Sequence, residues 1–216
     1  MPGNPKHSSE GRITNLHLPN LTVVNTYLPS GNRTADRHNY KLEFQDDLKT
    51  HCEQLRITRD VILVSDFNTI RNYTDVLQGL ETDIVDQFPS TTTPDEKTWL
   101  NSLETLFTDS FREKYSQTGA TWLIKAPNQQ HYPFWRIDYI WVDKRIPVKA
   151  YDTRVEAPEQ EPLSDHLKIQ ININFNYLLE VADEPYYPHG LEFDNQTGTM
   201  MTVRNTPIKL QRNTSS

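Results

Sequence analysis

The sequence predicts an α/β sandwich, with sheets at the core and helices outside. Three observations carry this expectation. Strand-like runs alternate with two helical patterns and then give way to a run of strands. Asp60-Val-Ile-Leu-Val-Ser-Asp66 is a short, nearly continuous apolar stretch, as expected of a strand buried on both faces. Leu167-Lys-Ile-Gln-Ile-Asn-Ile173 alternates with period two, as expected of a half-exposed strand with Leu167, Ile169, Ile171 and Ile173 inward.

Each element has its own local reason. Residues 1–11 are Pro, Gly, Ser and charge, and read as a flexible start. Arg12–His17 and Leu21–Tyr27 read as strands around the turn-type break Leu18-Pro19-Asn20. Tyr40, Phe44, Leu48, Cys52 and Leu55 fall on one helical stripe, and Cys52 on that stripe reads as a core thiol. Thr93, Pro94 and Glu96 form a helix start, with Thr93 as N-cap, proline at the first position and glutamate completing a capping box. Trp99, Leu100, Leu103 and Leu106 or Phe107 are its inner face. Further strands are expected at Ala120–Ile124, Ile137–Val142 and Val148–Val155. Residues 12–175 are expected to form one domain, and residues 176–216 read as a tail or linker.

Composition narrows the class. The 216 residues are 35% hydrophobic with a mean hydropathy of -0.72, which describes a wet, loop-rich protein. Four Trp, ten Tyr and eight Phe supply the large core pieces that disordered chains lack. No apolar run is long enough for a membrane helix, so no membrane partner is expected. The first ten residues carry no apolar signal core, and the single cysteine forms no internal disulfide, so an intracellular setting, nuclear or cytoplasmic, is expected. The formal charge of -7 offers no overall basic field for nucleic acid, although a metal-dependent phosphodiesterase clusters carboxylates and recruits cations to offset them.

Four polar clusters lie at strand ends: Asn25 and Tyr27; Ser65-Asp66-Phe67-Asn68; Trp135-Arg136-Ile137-Asp138-Tyr139; and Ser164-Asp165-His166. Residues at strand ends on one rim converge on a crevice however far apart they lie in sequence. Taken singly, Asp66 and Asn68 are ordinary turn formers and His166 an ordinary solvated histidine. Asp138 interrupts an apolar run, where an unpaired carboxylate is costly, and His166 is its most useful partner. Together they suit metal-assisted phosphodiester hydrolysis. Carboxylates bind hard cations, Asp and Asn one residue apart act on water and phosphate, and a histidine oriented by Asp stabilises charge on the phosphorane.

In their order along the chain these pieces resemble the endonuclease/exonuclease/phosphatase superfamily, with its DNase I-like fold. The nearest branches are the exodeoxyribonuclease III-type AP endonucleases and the endonucleases of non-LTR retrotransposons. The matching stretches are Leu21-Thr-Val-Val-Asn-Thr-Tyr-Leu-Pro29, Val61-Ile-Leu-Val-Ser-Asp-Phe-Asn68, Thr108-Asp-Ser-Phe-Arg112, Ala120-Thr-Trp122, Trp135-Arg-Ile-Asp-Tyr-Ile140 and Ser164-Asp-His166. The resemblance implies a four-layer sandwich of mixed, mainly antiparallel sheets with outer helices. It implies a hydrolase, most simply a DNA endonuclease, dependent on Mg²⁺ or Mn²⁺ and acting as a monomer. Tyr27 then contacts the scissile phosphate, Asp66 positions the attacking water, and Asn68 holds phosphate. Asp138 orients His166, Asp165 binds the metal, and Asn25, Trp135 and Arg136 line or buttress the crevice.

The sequence departs from that pattern in places. Ser65 replaces the glycine that normally precedes Asp-Phe-Asn, and Ser30 stands where repair enzymes carry asparagine. The family's opening strand with its Asn, and the following motif with its metal-binding Glu, have no counterpart among the residues before Tyr27. The chain therefore reads as a partial form of the fold, its opening strands missing, with low nuclease activity expected of it alone. Two other readings accompany the nuclease: a non-catalytic remnant binding nucleic acid or protein, and a phosphatase on the same scaffold.

Overall fold

The computed structural model describes residues 5–31, 34–76, 93–116, 119–125, 131–155, 164–174, 191–194 and 199–202. Its centre is a five-stranded sheet built from β1 (Ile13–His17), β2 (Leu21–Tyr27), β3 (Asp60–Asp66), β4 (Phe107–Asp109) and β7 (Asp138–Asp143). The strand order is β1-β2-β3-β7-β4, and only β2 and β3 are parallel. The parallel pair needs a crossover. That crossover is the long helix α2 (Ala35–Leu55), and it is why the Tyr40–Leu55 stripe faces the sheet.

Helices α2 and α3 (Pro94–Ser102) cover one face. Phe44, Leu48 and Cys52 of α2 and Trp99 and Leu100 of α3 pack there with Val24, Val61, Leu63, Phe107 and Trp141 of the sheet. Cys52 is a core thiol as expected, and burial pushes its pKa up to about 12. The other face is covered by a two-stranded sheet, β8 (Tyr151–Val155) with β9 (Ile169–Ile173). Ile169, Ile171 and Ile173 lie against Ile62, Ile140, Val142 and Tyr151 and point inward as read, whereas Leu167 precedes the strand and is not part of this cluster. The architecture is a mixed α/β sandwich, helices against sheet against sheet, with mainly antiparallel pairing.

Local chemistry explains several boundaries. Thr93 accepts from the Glu96 amide while the Glu96 side chain returns to the Thr93 amide, so the expected capping box is present. Thr93→Ala should cost about 1 kcal/mol, read as a shift of the urea midpoint at unchanged slope. Val148–Ala150 is a 3₁₀ turn, so the strand expected from Val148 begins at Tyr151. Gly119 has φ +56, and a Cβ there would strike the Phe111 ring, which requires glycine before the Ala120-Thr121 segment.

Five elements, one helical turn and four strands, lie outside the sequence reading. Pro5–Ser8 forms one helical turn (α1) in the stretch read as a flexible start. The buried His7 holds it on α2, with Nδ1 2.7 Å from Asp47 and its ring edge-on to Tyr40 and Phe44. Phe107–Asp109 is too short for an alternation pattern. His131–Trp135 (β6) forms a two-stranded ribbon with β5 (Trp122–Lys125), in which Pro133 is tolerated, and Trp135 at its end also bridges Val76. In the stretch read as a tail, Leu191–Asp194 (β10) pairs with Thr199–Thr202 (β11), and the rest of 176–216 lies outside the described residues.

A buried ionic cluster ties β4, β7 and the Tyr73–Asp75 3₁₀ turn together. Arg136, 1% exposed, donates its Nε to Asp75 at 2.8 Å and its two terminal nitrogens to Asp109 at 3.0 and 2.7 Å. Arg71 adds a second guanidinium to Asp109 at 2.8 Å and also pairs with Glu104. Burial pushes the Asp109 carboxyl upward, but the Arg136 and Arg71 charges outweigh it and hold the pKa below 3.8.

Candidate active site

Strand register assembles the centre of the site. Tyr27 is paired with Asp66 across the parallel β2–β3 pair, and Asp66 with Asp138 across the antiparallel β3–β7 pair. β2 and β3 end where β7 begins, so three side chains from distant stretches form one row on one face of the sheet. Asn25 lies two residues back along β2, on the same face and exposed. Tyr27 is 51% exposed, and the Arg12 guanidinium sits 5.2 Å over its ring.

His166 arrives from the other side. The Leu123 amide donates to the Asp165 carbonyl at 2.7 Å, and the Leu167 amide to the Thr121 carbonyl at 2.6 Å. Trp122 and His166 form a bridge between these bonds. His166 Nδ1 then lies 2.9 Å from Asp138 Oδ2, and the Thr121 hydroxyl donates to the same oxygen at 2.6 Å. An ionised carboxylate only accepts, so Nδ1 carries the proton of this bond and Nε2 is left for another partner. The bond to Asp138 holds the imidazole above its ordinary pKa of 6.5, although burial opposes this.

Asp66 is set differently. Burial first, and then the neighbouring Asp138 charge, push its pKa from 3.8 up to about 7. The Asn68 amide, which donates to Asp66 Oδ1 at 2.8 Å, and the His166 and Lys41 charges pull more weakly the other way. Asn68 has φ 49, in the left-handed region that asparagine tolerates, and its side-chain amide donates to the Leu28 carbonyl at 3.0 Å.

Among the described residues, Asp66, Asp138 and His166 each offer a ligand atom within 4.8 Å of the others. The two carboxylates suit a small divalent cation that would fill its remaining positions with water and phosphate oxygens. Asp165, to which the resemblance assigns the metal, stands outside this group. It is exposed, and Oδ2 accepts from the Trp122 indole at 3.2 Å. Trp135 and Arg136, expected to line or buttress the crevice, are 2% and 1% exposed, so they support it from beneath and do not line it.

Two residues of the site were not assigned a role from sequence. Thr121 lies within a matching motif, but its bond to Asp138 depends on tertiary placement. Lys41 lies inside an amphipathic helix, and its Nζ donates to the Asn68 carbonyl at 2.8 Å. No local pattern marks Lys41, and the motif around Thr121 does not give its partner.

No family model matches the chain. It is 26% identical over 175 residues to an exodeoxyribonuclease of Bacillus subtilis, covering 80% of this chain and 68% of that protein. It is 29% identical over 150 residues to a DNA-(apurinic or apyrimidinic site) endonuclease of Dictyostelium discoideum, covering 67% of this chain and 40% of that protein. The chain thus spans well under the full length of these relatives. Among solved structures, an AP endonuclease from Archaeoglobus fulgidus superposes with a TM-score of 0.64 at 18% identity, over 79% of this chain and 68% of that one. The chain therefore has the DNase I-like fold of AP endonucleases and is similar in sequence to exodeoxyribonucleases and AP endonucleases.

Proposed function

We propose that this chain is a divalent-cation-dependent phosphodiesterase that cleaves DNA, with its centre at Asp66, Asp138 and His166. The observation that carries the reading is the convergence of these three groups within 4.8 Å beside the exposed Tyr27. The relatives are named as DNA nucleases, and an intracellular, nuclear or cytoplasmic setting follows for a chain with that substrate.

Each residue has a distinct task. Asp66, at the strand end beside Asp138, positions the attacking water. Asn68 orients that water or a phosphate oxygen. Tyr27 donates its hydroxyl to the phosphate from the solvent side. His166, oriented through Nδ1 by Asp138, turns Nε2 to the oxygens that gain charge in the phosphorane, and its raised pKa favours the Nε2–H form that donates to them. Asn25 and the exposed Asp165 extend the contact along the rim. Trp135 and Arg136 hold the strand that carries Asp138. The Asp66 and Asp138 carboxylates, with Asp165 at the rim, would hold Mg²⁺ or Mn²⁺, which would supply positive charge to screen the phosphate from these carboxylates.

Among the described residues no glutamate joins the group, so metal affinity and turnover should both be low. The test is single-turnover cleavage of labelled duplex DNA, intact or with one abasic site, with protein in excess over substrate. Cation-dependent strand breaks that disappear with EDTA and in His166→Ala are the expected result. DNA binding with no cleavage under any divalent cation would overturn the catalytic reading in favour of a non-catalytic scaffold. Release of phosphate from a 3′-phosphorylated end without strand cleavage would overturn the endonuclease assignment in favour of the phosphatase.

A further inference from the structure

Lys41 lies on the inner stripe of α2, between Tyr40 and Phe44, and is 0% exposed, as is Glu96 of α3. Its ammonium group lies 2.7 Å from Glu96 Oε1. It also donates to the Asn68 carbonyl and to Thr69 Oγ1, each at 2.8 Å. Glu96 in turn closes the capping box of α3 through Oε2. One buried ion pair thus joins two helices to the turn that follows Asp66.

Stability alone gives a poor reason for this pair. A well-packed apolar pair in the same space is commonly as stable as a buried ion pair, or more so. What an apolar pair lacks is a donor for the Asn68 carbonyl. The Asn68 backbone is held at both its ends: its N–H donates to Asp66 Oδ1 and its C=O accepts from Lys41 Nζ. Asn68 also sits at φ 49, a conformation that needs support from its surroundings.

We propose that Lys41, with Glu96 as its counter-ion, is a positioning residue that clamps the Asp66–Asn68 turn from beneath and so sets the direction of both side chains in the site. This deepens the nuclease reading and depends on it only for its kinetic arm. The structural arm needs neither metal nor substrate.

The test uses the paired variant Lys41→Met with Glu96→Gln, which removes both charges while glutamine keeps the capping box. The expected melting temperature stays within about 5 °C of the parent. In the metal-free protein the Asn68 amide is expected to exchange with solvent about tenfold faster, the effect of losing roughly one charge-assisted hydrogen bond. Amides of β7 such as Val142 keep the parent rate. In the kinetic arm kcat falls by about 10²-fold with KM little changed, as for a small misplacement of catalytic groups. Parent-like exchange at Asn68 in the folded variant would overturn the proposal whatever the activity, leaving Lys41–Glu96 a packing pair. If the nuclease reading fails, the kinetic arm falls silent and the exchange arm still decides. Should the paired variant fail to fold, Thr69→Val carries the same measurement. It removes one acceptor of Lys41 at constant charge, and exchange at Asn68 is expected to rise about threefold; no rise would overturn the clamp.

Discussion

Asp66→Asn is expected to lose about 10³-fold in cleavage and, without divalent cations, to be more stable than the parent above pH 7. The two effects share one cause. Asp66 is a carboxylate whose ionised form the fold disfavours, because it is largely removed from water and lies beside Asp138. Its pKa rises from 3.8 to about 7 on folding, so the folded state binds its proton more tightly than the unfolded chain does. Its contribution to stability is therefore full below about pH 4 and is lost as pH rises through 7. Asparagine keeps the oxygen that accepts from the Asn68 amide and never ionises. The variant should gain on the order of 2–4 kcal/mol over the parent at pH 8, and the difference should vanish near pH 4. Urea unfolding at the two pH values in EDTA measures it. Equal stability at pH 8 would show that Asp66 ionises there without strain. Added Mg²⁺ favours the ionised form, so it should stabilise the parent at pH 8 and leave Asp66→Asn nearly unaffected.

The second large effect is expected at Arg136. Arg136→Met should destabilise the chain by about 3–5 kcal/mol, a large share of the roughly 5–15 kcal/mol that holds a domain folded. The side chain sits between Asp75 and Asp109, which are 0% and 4% exposed. Arg112 and Arg71 remain as partners of these carboxylates, but the bidentate contact to Asp109 is lost. Arg136→Lys keeps the charge without the planar fork, so it should recover only part of the loss. Because Asp109 is held below its ordinary pKa, the stability it contributes is present above pH 4 and fades as pH falls through the lowered value. The gap between Arg136→Met and the parent should therefore narrow in acid. A variant within about 1 kcal/mol of the parent at pH 7 would show that the cluster contributes little.

Much of the fold was legible because its signals are local. The apolar run from Asp60 to Asp66, the alternation at Ile169–Ile173 and the Thr93 capping box depend only on near neighbours in the chain. The elements that escaped were those whose reason lies elsewhere. Phe107–Asp109 is a strand because β7 pairs with it, and Pro5–Ser8 is a helical turn with His7 seated against α2. The candidate site divides in the same way. Asp66, Asn68, Asp138 and His166 stood out as polar groups at strand ends, and Asp138 as a charge inside an apolar run. Arg136 looked equally chemical in the sequence, yet its burial makes it a support.

By itself the sequence determined which segments became strands and helices, and which carboxylates and imidazole ended up near a strand terminus. Periodicity, capping and composition act over a few residues, and there they sufficed. Only the tertiary structure decided that Tyr27, Asp66 and Asp138 share one row, that Thr121 and Asp138 hold His166, and that Lys41 lies beneath the turn after Asp66. Those relations depend on register between strands and on packing between residues up to a hundred or more positions apart. No short stretch of chain contains that information.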